Sequence, residues 1–465
     1  MTFRNAFEER GLRELEWHLY DTWFVLTGGI AAMACAVPGV WLVLRRQSLM
    51  GDALSHTALP GIVVSFLFGQ WLLKSGMIAT SALPFFESIL LIVISVVVGV
   101  GTALLTELLQ RTGRVESTAA LGVVFTSLFA LGLFLVRLLA DHTDLDAECV
   151  LFGHLELVVL DTVWIGPWEL PRACLTNGAM LLLNLGLVCL FFKELQVSAF
   201  DPAMANSLGI GSRWMHYGTM TVTALTVLTA FQTVGSIIVV GLLVVPAATA
   251  LLLTERLSRV IILSMIVAAT SAVIGHFLAK TLPMRLFIPL GLTNVQDAGT
   301  SGMIAATAGG VFLLALLVAP QKGLLAKGMS RLQLSLKMAG DDVLGALYRL
   351  EETPGRVLTE PHEYPTHASW LTRWYLRTRQ LITESTSGPL LTDTGRAEAK
   401  KLVRAHRLWE SYMQKHFELP VDHFHAPAHL VEHFLDEELQ EKLFKELDAP
   451  ESDPHGRDIP GGNTE

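Results

Sequence analysis

The strongest constraint on the fold is a series of long apolar segments that fills the chain up to about Pro320 and then stops. Hydrophobic residues make up 51% of the sequence and charged residues only 17%, whereas soluble domains carry roughly 25% charged residues. A helix needs about 20 apolar residues to cross a bilayer. The sequence therefore predicts an all-α polytopic membrane domain of about eight or nine transmembrane helices, followed by a polar, mostly α-helical domain.

Candidate membrane spans lie near 22–44, 54–73, 87–109, 118–139, 176–192, 214–233, 235–254, 259–280 and 302–319. The fifth span is short, and the sixth and seventh nearly touch, so eight, nine or ten crossings remain open. Gly235, Gly241 and Pro246 fall in this adjoining pair. They predict a broken or re-entrant helix, which is tolerated at membrane depth only where protein or a cavity covers it.

Basic residues set the predicted orientation, because they are enriched in the short cytoplasmic loops of membrane proteins. They follow every odd-numbered span: Arg45, Arg46, Arg111, Arg114, Lys193, Arg256, Arg259, Lys322 and Lys327. This pattern favours nine crossings of the cell (inner) membrane, with the N-terminus outside and the polar half in the cytoplasm. The loop 140–175 then lies outside, where its acidic residues either attract cations or are simply solvated. Cys149 and Cys174 in this loop would be able to pair on an oxidising side.

The stretch Arg45–Gly61, RRQSLMGDALSHTALPG, places Asp52 and His56 one helical turn apart at the start of the second span. An ionisable pair at this spacing shares one helix face and marks a candidate functional site in a membrane helix. Carboxylate and imidazole together suit manganese, iron or zinc better than magnesium or calcium. The alternative is structural: Asp52 caps the helix and His56 packs between helices.

Histidines are concentrated near the C-terminal end, where seven of the 15 in the chain lie between 406 and 455. His406 and Glu410 are spaced to share one helix face, and the segment HAPAHLVEH holds the second group: His425, His429, Glu432 and His433. Imidazole and carboxylate donors at these spacings predict binding of a transition metal. A solvated, metal-free surface is the alternative. We find no arrangement of nucleophile and base that would indicate an enzyme.

The membrane half resembles the permease subunits of metal-type ABC importers, over roughly residues 15–325. The likeness rests on MGDALSH followed by LPG, and on the segments TELLQRTGRVESTAALGVVF, HTDLDAECVLFGHL, FKELQVSAFDPAMANSLGI and VGSIIVVGLLVVPAATALLL. The resemblance implies that Asp52 and His56 are ligands in the transport pathway. It also implies that Asp201, Ala205 and Gly209 of DPAMANSLGI contribute to coupling with an ATP-binding subunit.

The same resemblance predicts the partners of the chain. No Walker A motif GxxxxGK[ST] occurs in the sequence, so a non-catalytic permease subunit driven by a separate ATPase is expected. The family resemblance adds a second permease subunit, identical or different, and an extracellular or periplasmic metal-binding protein that delivers manganese, iron or zinc. The rival is a secondary transporter or channel that needs no ATPase.

The polar half resembles the diphtheria-toxin-repressor family of metal-dependent regulators. The residues that carry the likeness are LTDTGRAEAKKLVRAHRLWESYM, HFHAPAHLVEHFLDEELQEKL and DPHGRDIPG. By resemblance, His406, Glu410 and His425 match one regulatory metal site, and His429, Glu432 and His433 match the other. Asp342 aligns with an N-terminal ligand of the manganese branch of that family, while Gly345 stands where the same branch has a second acidic ligand.

The DNA-binding part of this resemblance is degenerate, because Pro354, Pro361 and Pro365 leave little room for a regular second helix. A recognition helix would then place Ser369, Thr372 and Arg373 against base edges, with a wing hairpin behind it. Basic residues outnumber acidic ones between 370 and 407, as a phosphate-binding surface requires. Two hypotheses therefore remain for the tail: a sensor that restrains transport, and a metal-dependent transcriptional regulator that binds DNA.

These observations predict five segments along the chain. They are an N-terminal amphipathic segment (1–21), the permease domain (22–325), a linker (326–340), a degenerate winged-helix-like region (341–395) and a metal-binding and dimerisation domain (396–465).

Overall fold

The computed structural model describes residues 17–75, 83–139, 155–287, 298–352, 369–385, 388–417 and 423–461. The chain forms two compact units that divide between Leu324 and Leu325. The N-terminal unit contains the apolar half of the sequence and the C-terminal unit contains the polar half. Most of the predicted amphipathic segment lies outside the described residues, which begin at Trp17, and the first described helix begins at Leu19.

The N-terminal unit is built from long helices, as the apolar segments predict. In chain order they are α1 (Leu19–Leu44), α2 (Ser48–Lys74), α3 (Leu83–Gly113), α4 (Ser117–Leu139), α5 (Leu155–Val158), α6 (Arg172–Leu190), α7 (Phe192–Phe200), α8 (Pro202–Ser207), α9 (Ser212–Val234), α10 (Ser236–Leu253), α11 (Leu257–Phe287) and α12 (Thr300–Val318). Within the described ranges, each predicted span falls on one of these helices. Six are long and apolar enough to cross a membrane alone, and counting the pair α9 and α10 as one bent span gives seven.

The break between α9 and α10 confirms the predicted interruption. The two helices meet at an angle of 119°, and the residue between them, Gly235, has φ 89°. Residues with a side chain rarely adopt this left-handed conformation, whereas glycine does so at little cost. Pro246 lies inside α10, so it does not end the helix.

Helix α1 lies at the centre of the N-terminal unit, where it packs against α6, α9, α10 and α11. Its Gly39 permits the closest of these approaches, because a Cβ atom there would lie 1.8 Å from the carbonyl oxygen of Leu243 in α10. Pro38 lacks an N–H and leaves the carbonyl of Ala34 without its helical donor. The buried Asn184 of α6 replaces that donor, since its Nδ2 atom donates to Ala34 O at 2.9 Å.

Two short strands, β1 (Thr162–Ile165) and β2 (Trp168–Pro171), form an antiparallel hairpin immediately before α6. This hairpin belongs to the predicted acidic outer loop. Cys149 lies outside the described residues, so its pairing with Cys174 stays a prediction.

The C-terminal unit is also mainly helical. Its elements are α13 (Leu324–Glu352), α14 (Trp370–Thr378), β3 (Ile382–Ser385), β4 (Gly388–Leu391), α15 (Asp393–His416), α16 (His425–Val431), a 3-10 helix (Glu432–Phe434) and α17 (Glu437–Glu446). The predicted linker 326–340 is helical throughout and lies inside α13. The predicted second helix of the DNA-binding region falls largely on 353–368, outside the described residues.

The core of this unit joins the end of α13 to the hairpin that the sequence predicts as a wing. Val343 and Leu347 of α13 pack with Leu376 of α14 and with Ile382 and Leu391 of the hairpin. The hairpin strands pair antiparallel, with Ile382 opposite Leu391. The prediction that the polar half is mostly helical and contains a winged hairpin is therefore confirmed.

Candidate metal sites

Asp52 and His56 lie side by side in the first half of α2. His56 Nε2 is 3.3 Å from Asp52 Oδ1, and both side chains are partly exposed. The aromatic rings of Phe125 and Phe129 in α4 lie against the imidazole, with centroids 6.0 and 5.2 Å away. The helix begins at Ser48 and its N-cap is Gln47, which excludes the capping role for Asp52. The pair offers one carboxylate and one imidazole nitrogen to a common point.

The basic start of the same stretch is joined to a distant segment. Arg45 Nη2 donates to Ser198 Oγ of α7 at 2.9 Å, and Arg45 Nη1 lies 3.3 Å from His216 Nδ1 of α9. The turn that leads into the Asp52 helix is thus attached to the two helices that flank the segment resembling an ATPase contact.

The residues Asp201, Ala205 and Gly209 shape that segment, and Asp201 and Gly209 also lie on its surface. Asp201 caps α8, because its Oδ1 accepts hydrogen bonds from the backbone N–H groups of Ala203 (3.0 Å) and Met204 (2.9 Å). Ala205 is fully buried, and Gly209 ends the helix with φ 80°, as glycine does at helix C-termini.

The large apolar side chains exposed on this segment are ones that the motif did not single out. Phe200, Met204 and Leu208 expose 65%, 53% and 59% of their surface. They follow one another at spacings of four along α7 and α8 and past the end of α8. This spacing was the available sequence signal, and the structure shows that the three side chains are exposed.

A four-residue cluster forms in the C-terminal unit. Asp342 of α13, His429 of α16, and Glu432 and His433 of the 3-10 helix each direct one ligand atom into a space where all four atoms lie within 4.8 Å of one another. His433 Nε2 is 3.3 Å and His429 Nδ1 is 3.7 Å from Asp342 Oδ1. The Asp342 Oδ1 atom is buried and accepts no hydrogen bond. Two imidazoles and two carboxylates, one of which carries this unsatisfied oxygen, fit a divalent transition metal.

Electrostatics in the cluster favour the ionised form of Glu432. Burial opposes the charge on Glu432, but hydrogen bonds from His406 and His429 outweigh it and lower the pKa of Glu432 to about 2. Burial likewise opposes protonation of His433, yet its contacts with Asp341 and Asp342 raise its pKa to about 9. The hydrogen bond to Glu432 raises the pKa of His429.

The other predicted regulatory site adjoins this cluster. His406 Nε2 lies 3.0 Å from Glu410 Oε1, and His406 Nδ1 contacts Glu432 Oε2, so His406 joins the two predicted sites. Glu410 and Glu432 are both almost completely buried. The side chain of His425 lies outside the described residues, and its role as a ligand stays a prediction.

Three further residues contact these sites. Asp341 Oδ2 lies 3.3 Å from His433 Nδ1, Arg349 Nη2 lies 3.9 Å from Glu432 Oε2, and His455 Nε2 lies 3.8 Å from Glu410 Oε1. Two of these residues have a sequence signal. Asp341 is next to Asp342, and His455 belongs to the motif DPHGRDIPG. Asp341 supplies an acidic group close to the site despite the absence of one at Gly345.

The predicted base-reading residues lie at the start of α14. Thr372 is buried, and the Ser369 hydroxyl accepts a hydrogen bond from the Thr372 backbone N–H, which caps the helix. Arg373 is half-buried. The most exposed large side chains of this helix are Trp370 and Trp374 instead.

Known proteins resemble both units. Residues 20–285 match the ABC 3 transport family, and residues 392–461 match the iron dependent repressor, metal binding and dimerisation domain. The chain is 36% identical over 351 residues to the zinc transport system membrane protein TroD of Treponema pallidum (strain Nichols), which covers 75% of this chain and 88% of that protein. It is 35% identical over 322 residues to the manganese transport system membrane protein MntD of Bacillus subtilis (strain 168), covering 69% and 99%.

Among solved structures, the chain is similar to PsaBC from Streptococcus pneumoniae in complex with Fab. The TM-score is 0.51 at 26% sequence identity, and the match covers 68% of this chain and 97% of that chain. The two family resemblances inferred from the motifs are therefore confirmed. The chain belongs to the ABC 3 transport family, and behind its membrane half it carries an iron-dependent-repressor metal-binding and dimerisation domain.

Proposed function

We propose that this protein is the membrane permease subunit of an ABC importer for a divalent transition metal, and that its C-terminal unit senses the same class of ion. The observation that carries the proposal is the Asp52–His56 pair, which meets at 3.3 Å within the family-matched segment. Similar proteins named for zinc and manganese transport support a transition metal as the substrate. Manganese, iron and zinc all suit this pair of ligands.

The pair offers two ligands, and the rest of the coordination comes from water, backbone or other side chains. Incomplete ligation suits transport, because a substrate site must release its ion as well as bind it. Phe125 and Phe129 restrict the imidazole ring of His56 from the side of α4. Relative movement of α2 and α4 would therefore change the position of this ligand during alternating access.

Energy for this cycle comes from a separate ATP-binding subunit. The exposed apolar side chains of Phe200, Met204 and Leu208 suit a protein contact, while the Asp201 cap keeps α8 in place. Arg45 links this segment to the turn before α2. A metal-binding protein on the outer side delivers the ion, and a second permease subunit completes the pathway.

The C-terminal unit binds cytoplasmic metal at the Asp342–His429–Glu432–His433 cluster and at the adjoining His406–Glu410 site. We favour a role in restraining transport over a role in transcription. Thr372 is buried and the hydroxyl of Ser369 is engaged in the cap of α14, which disfavours both as base readers.

The test is uptake of Mn²⁺, Zn²⁺ and Fe²⁺ by cells that express the chain with its ATP-binding subunit. Asp52→Asn and His56→Ala should each lower uptake by at least about tenfold, because each removes a ligand. Glu116→Gln is the matched control, since Glu116 is an exposed carboxylate that directly precedes α4. Uptake at the unmodified level in both ligand variants would exclude the pair as the transport site.

The same assay separates an ABC importer from an ATPase-independent transporter. A partner subunit that binds but cannot hydrolyse ATP should abolish uptake. Uptake that continues with this partner would favour the secondary transporter and contradict the ABC mechanism.

A further inference from the structure

The first half of α13 carries an apolar stripe that the described part of the chain leaves uncovered. Leu325, Met329 and Leu332 expose 63%, 58% and 49% of their surface, and Leu336 and Ala339 continue the line half-buried. The intervals between them alternate between four and three residues. Leaving several large apolar side chains in water is unfavourable, so a covering partner is expected.

The spacing indicates what kind of partner covers the stripe. Alternating intervals of four and three form the heptad repeat of helices that supercoil around each other. At 100° per residue, the five side chains span only about 80° of the helix surface, and a stripe of this width is the seam of a coiled coil. A helix lying in a membrane surface buries a wider apolar face.

The charges of this helix segment leave the stripe clear. Three cations lie on the opposite side of the helix: Lys327, Arg331 and Lys337. The positions beside the stripe hold small or uncharged residues: Ala326, Gly328, Gln333 and Ser335. Two such helices can therefore meet along the stripe without bringing like charges together. Small flanking residues also let the backbones approach closely.

We propose that this stripe is a parallel coiled-coil seam that pairs α13 with α13 of a second copy of this chain. The inference rests on the proposed membrane function, because both permease copies are inserted in the same orientation and a two-fold axis along the membrane normal relates them. Helices that pair along such an axis are parallel and in register, and each residue then lies opposite its own counterpart. The permease dimer is then a homodimer.

The seam gains strength from the rest of the chain. Two heptads make a helix pair too short to be stable alone in water. The matched metal-binding and dimerisation domain lies in the same unit, and a membrane half confines both copies to one plane, so the effective concentration of the second helix is high. Beyond Ala339 the same spacing reaches Val343 and Ala346, which are buried in the core of their own unit, and the seam ends there.

Cysteine crosslinking in native membranes tests the seam. Leu332 and Leu334 are matched, because they expose 49% and 47% of their surface but point to opposite sides of α13. In a full-length chain whose four native cysteines are replaced by serine, Leu332→Cys and Met329→Cys should form disulfide-linked dimers on mild oxidation. Leu334→Cys and Arg331→Cys should do so several-fold less.

Equal crosslinking at 332 and 334, or none at 329 and 332, would overturn the proposal. A second outcome would also overturn the proposal: nitroxide-labelled lipid quenches a fluorophore attached to the Leu332→Cys variant, and this variant forms no crosslinked dimer. That result would assign the stripe to the bilayer surface. Leu332→Asp should lower the dimer fraction of the purified chain more than Leu334→Asp does, which checks the seam without cysteine chemistry. Crosslinking does not depend on uptake. Absence of crosslinking would therefore contradict the seam, whereas absence of metal uptake would contradict the proposed transport function.

Discussion

Glu432 is the residue on which the C-terminal cluster converges. Its side chain exposes only 1% of its surface, yet it contacts His406, His429 and Arg349. An ionised carboxylate in such a position is unfavourable unless several partners compensate its charge. The low pKa of Glu432, about 2, shows that these partners do so.

Glu432→Gln should therefore weaken metal binding more than other single changes in this unit. It removes a carboxylate that both predicted sites share, and we expect a loss of at least about 100-fold in affinity. The measurement is metal content and titration calorimetry on the purified full-length chain. Glu438→Gln is the control, because Glu438 is exposed and pairs with Lys442. Equal metal content in the two variants would show that Glu432 is not a ligand.

At the scale of helices, a proline in α1 and an asparagine in α6 depend on each other. Pro38 deprives Ala34 O of its helical donor, and Asn184 Nδ2 supplies a substitute at 2.9 Å. The same Nδ2 also donates to Thr226 Oγ1 of α9 at 3.0 Å. One amide thereby ties three helices together at a point where side-chain packing alone would leave a buried carbonyl unsatisfied.

Asn184→Ala should lower the free energy of unfolding by about 1–3 kcal/mol, because it leaves buried polar groups without partners. In a Pro38→Ala background the loss should be smaller, since residue 38 then donates to Ala34 O itself. Thermal unfolding of the four chains of this cycle in detergent provides the measurement. Additive effects of the two substitutions would contradict the dependence of Asn184 on Pro38.

At the scale of the whole molecule, one chain joins a transport pathway to a metal-binding unit. Each copy of the membrane unit is therefore synthesised together with one copy of the metal-binding unit. The sensor cluster includes Asp342 on α13, the helix that directly follows the last apolar helix after a short turn. Metal binding at the C-terminal unit can thus act on the same molecule that imports the metal.

Glu432→Gln in the full-length chain should release uptake from restraint by cytoplasmic metal. Cells preloaded with metal should accumulate more through this variant than through Glu438→Gln, whereas initial uptake by metal-starved cells should be the same. Identical responses of both variants would refute restraint by the sensor. A metal-dependent shift of operator DNA by the full-length chain would instead support transcriptional control.

The membrane half was predictable because apolar content is a local property. Each predicted span falls on a described helix, and the break at Gly235 follows from a glycine whose backbone can turn where others cannot. Asp52 and His56 were predictable for the same reason, since a spacing of four residues fixes their proximity within a helix. Their roles as ligands and the exact domain boundaries remain predictions.

The sequence by itself determined which long apolar segments are helical, which family each half resembles, and which pairs share a helix face. Only the tertiary structure decided which distant residues meet. His433 and Asp341 are 92 positions apart, and Asn184 and Ala34 are 150 apart, so no local pattern joins them. Burial was equally non-local, because the exposure of a side chain depends on what the rest of the chain packs against it. Ala205 is buried and Phe200 is exposed, although the two residues are close in sequence.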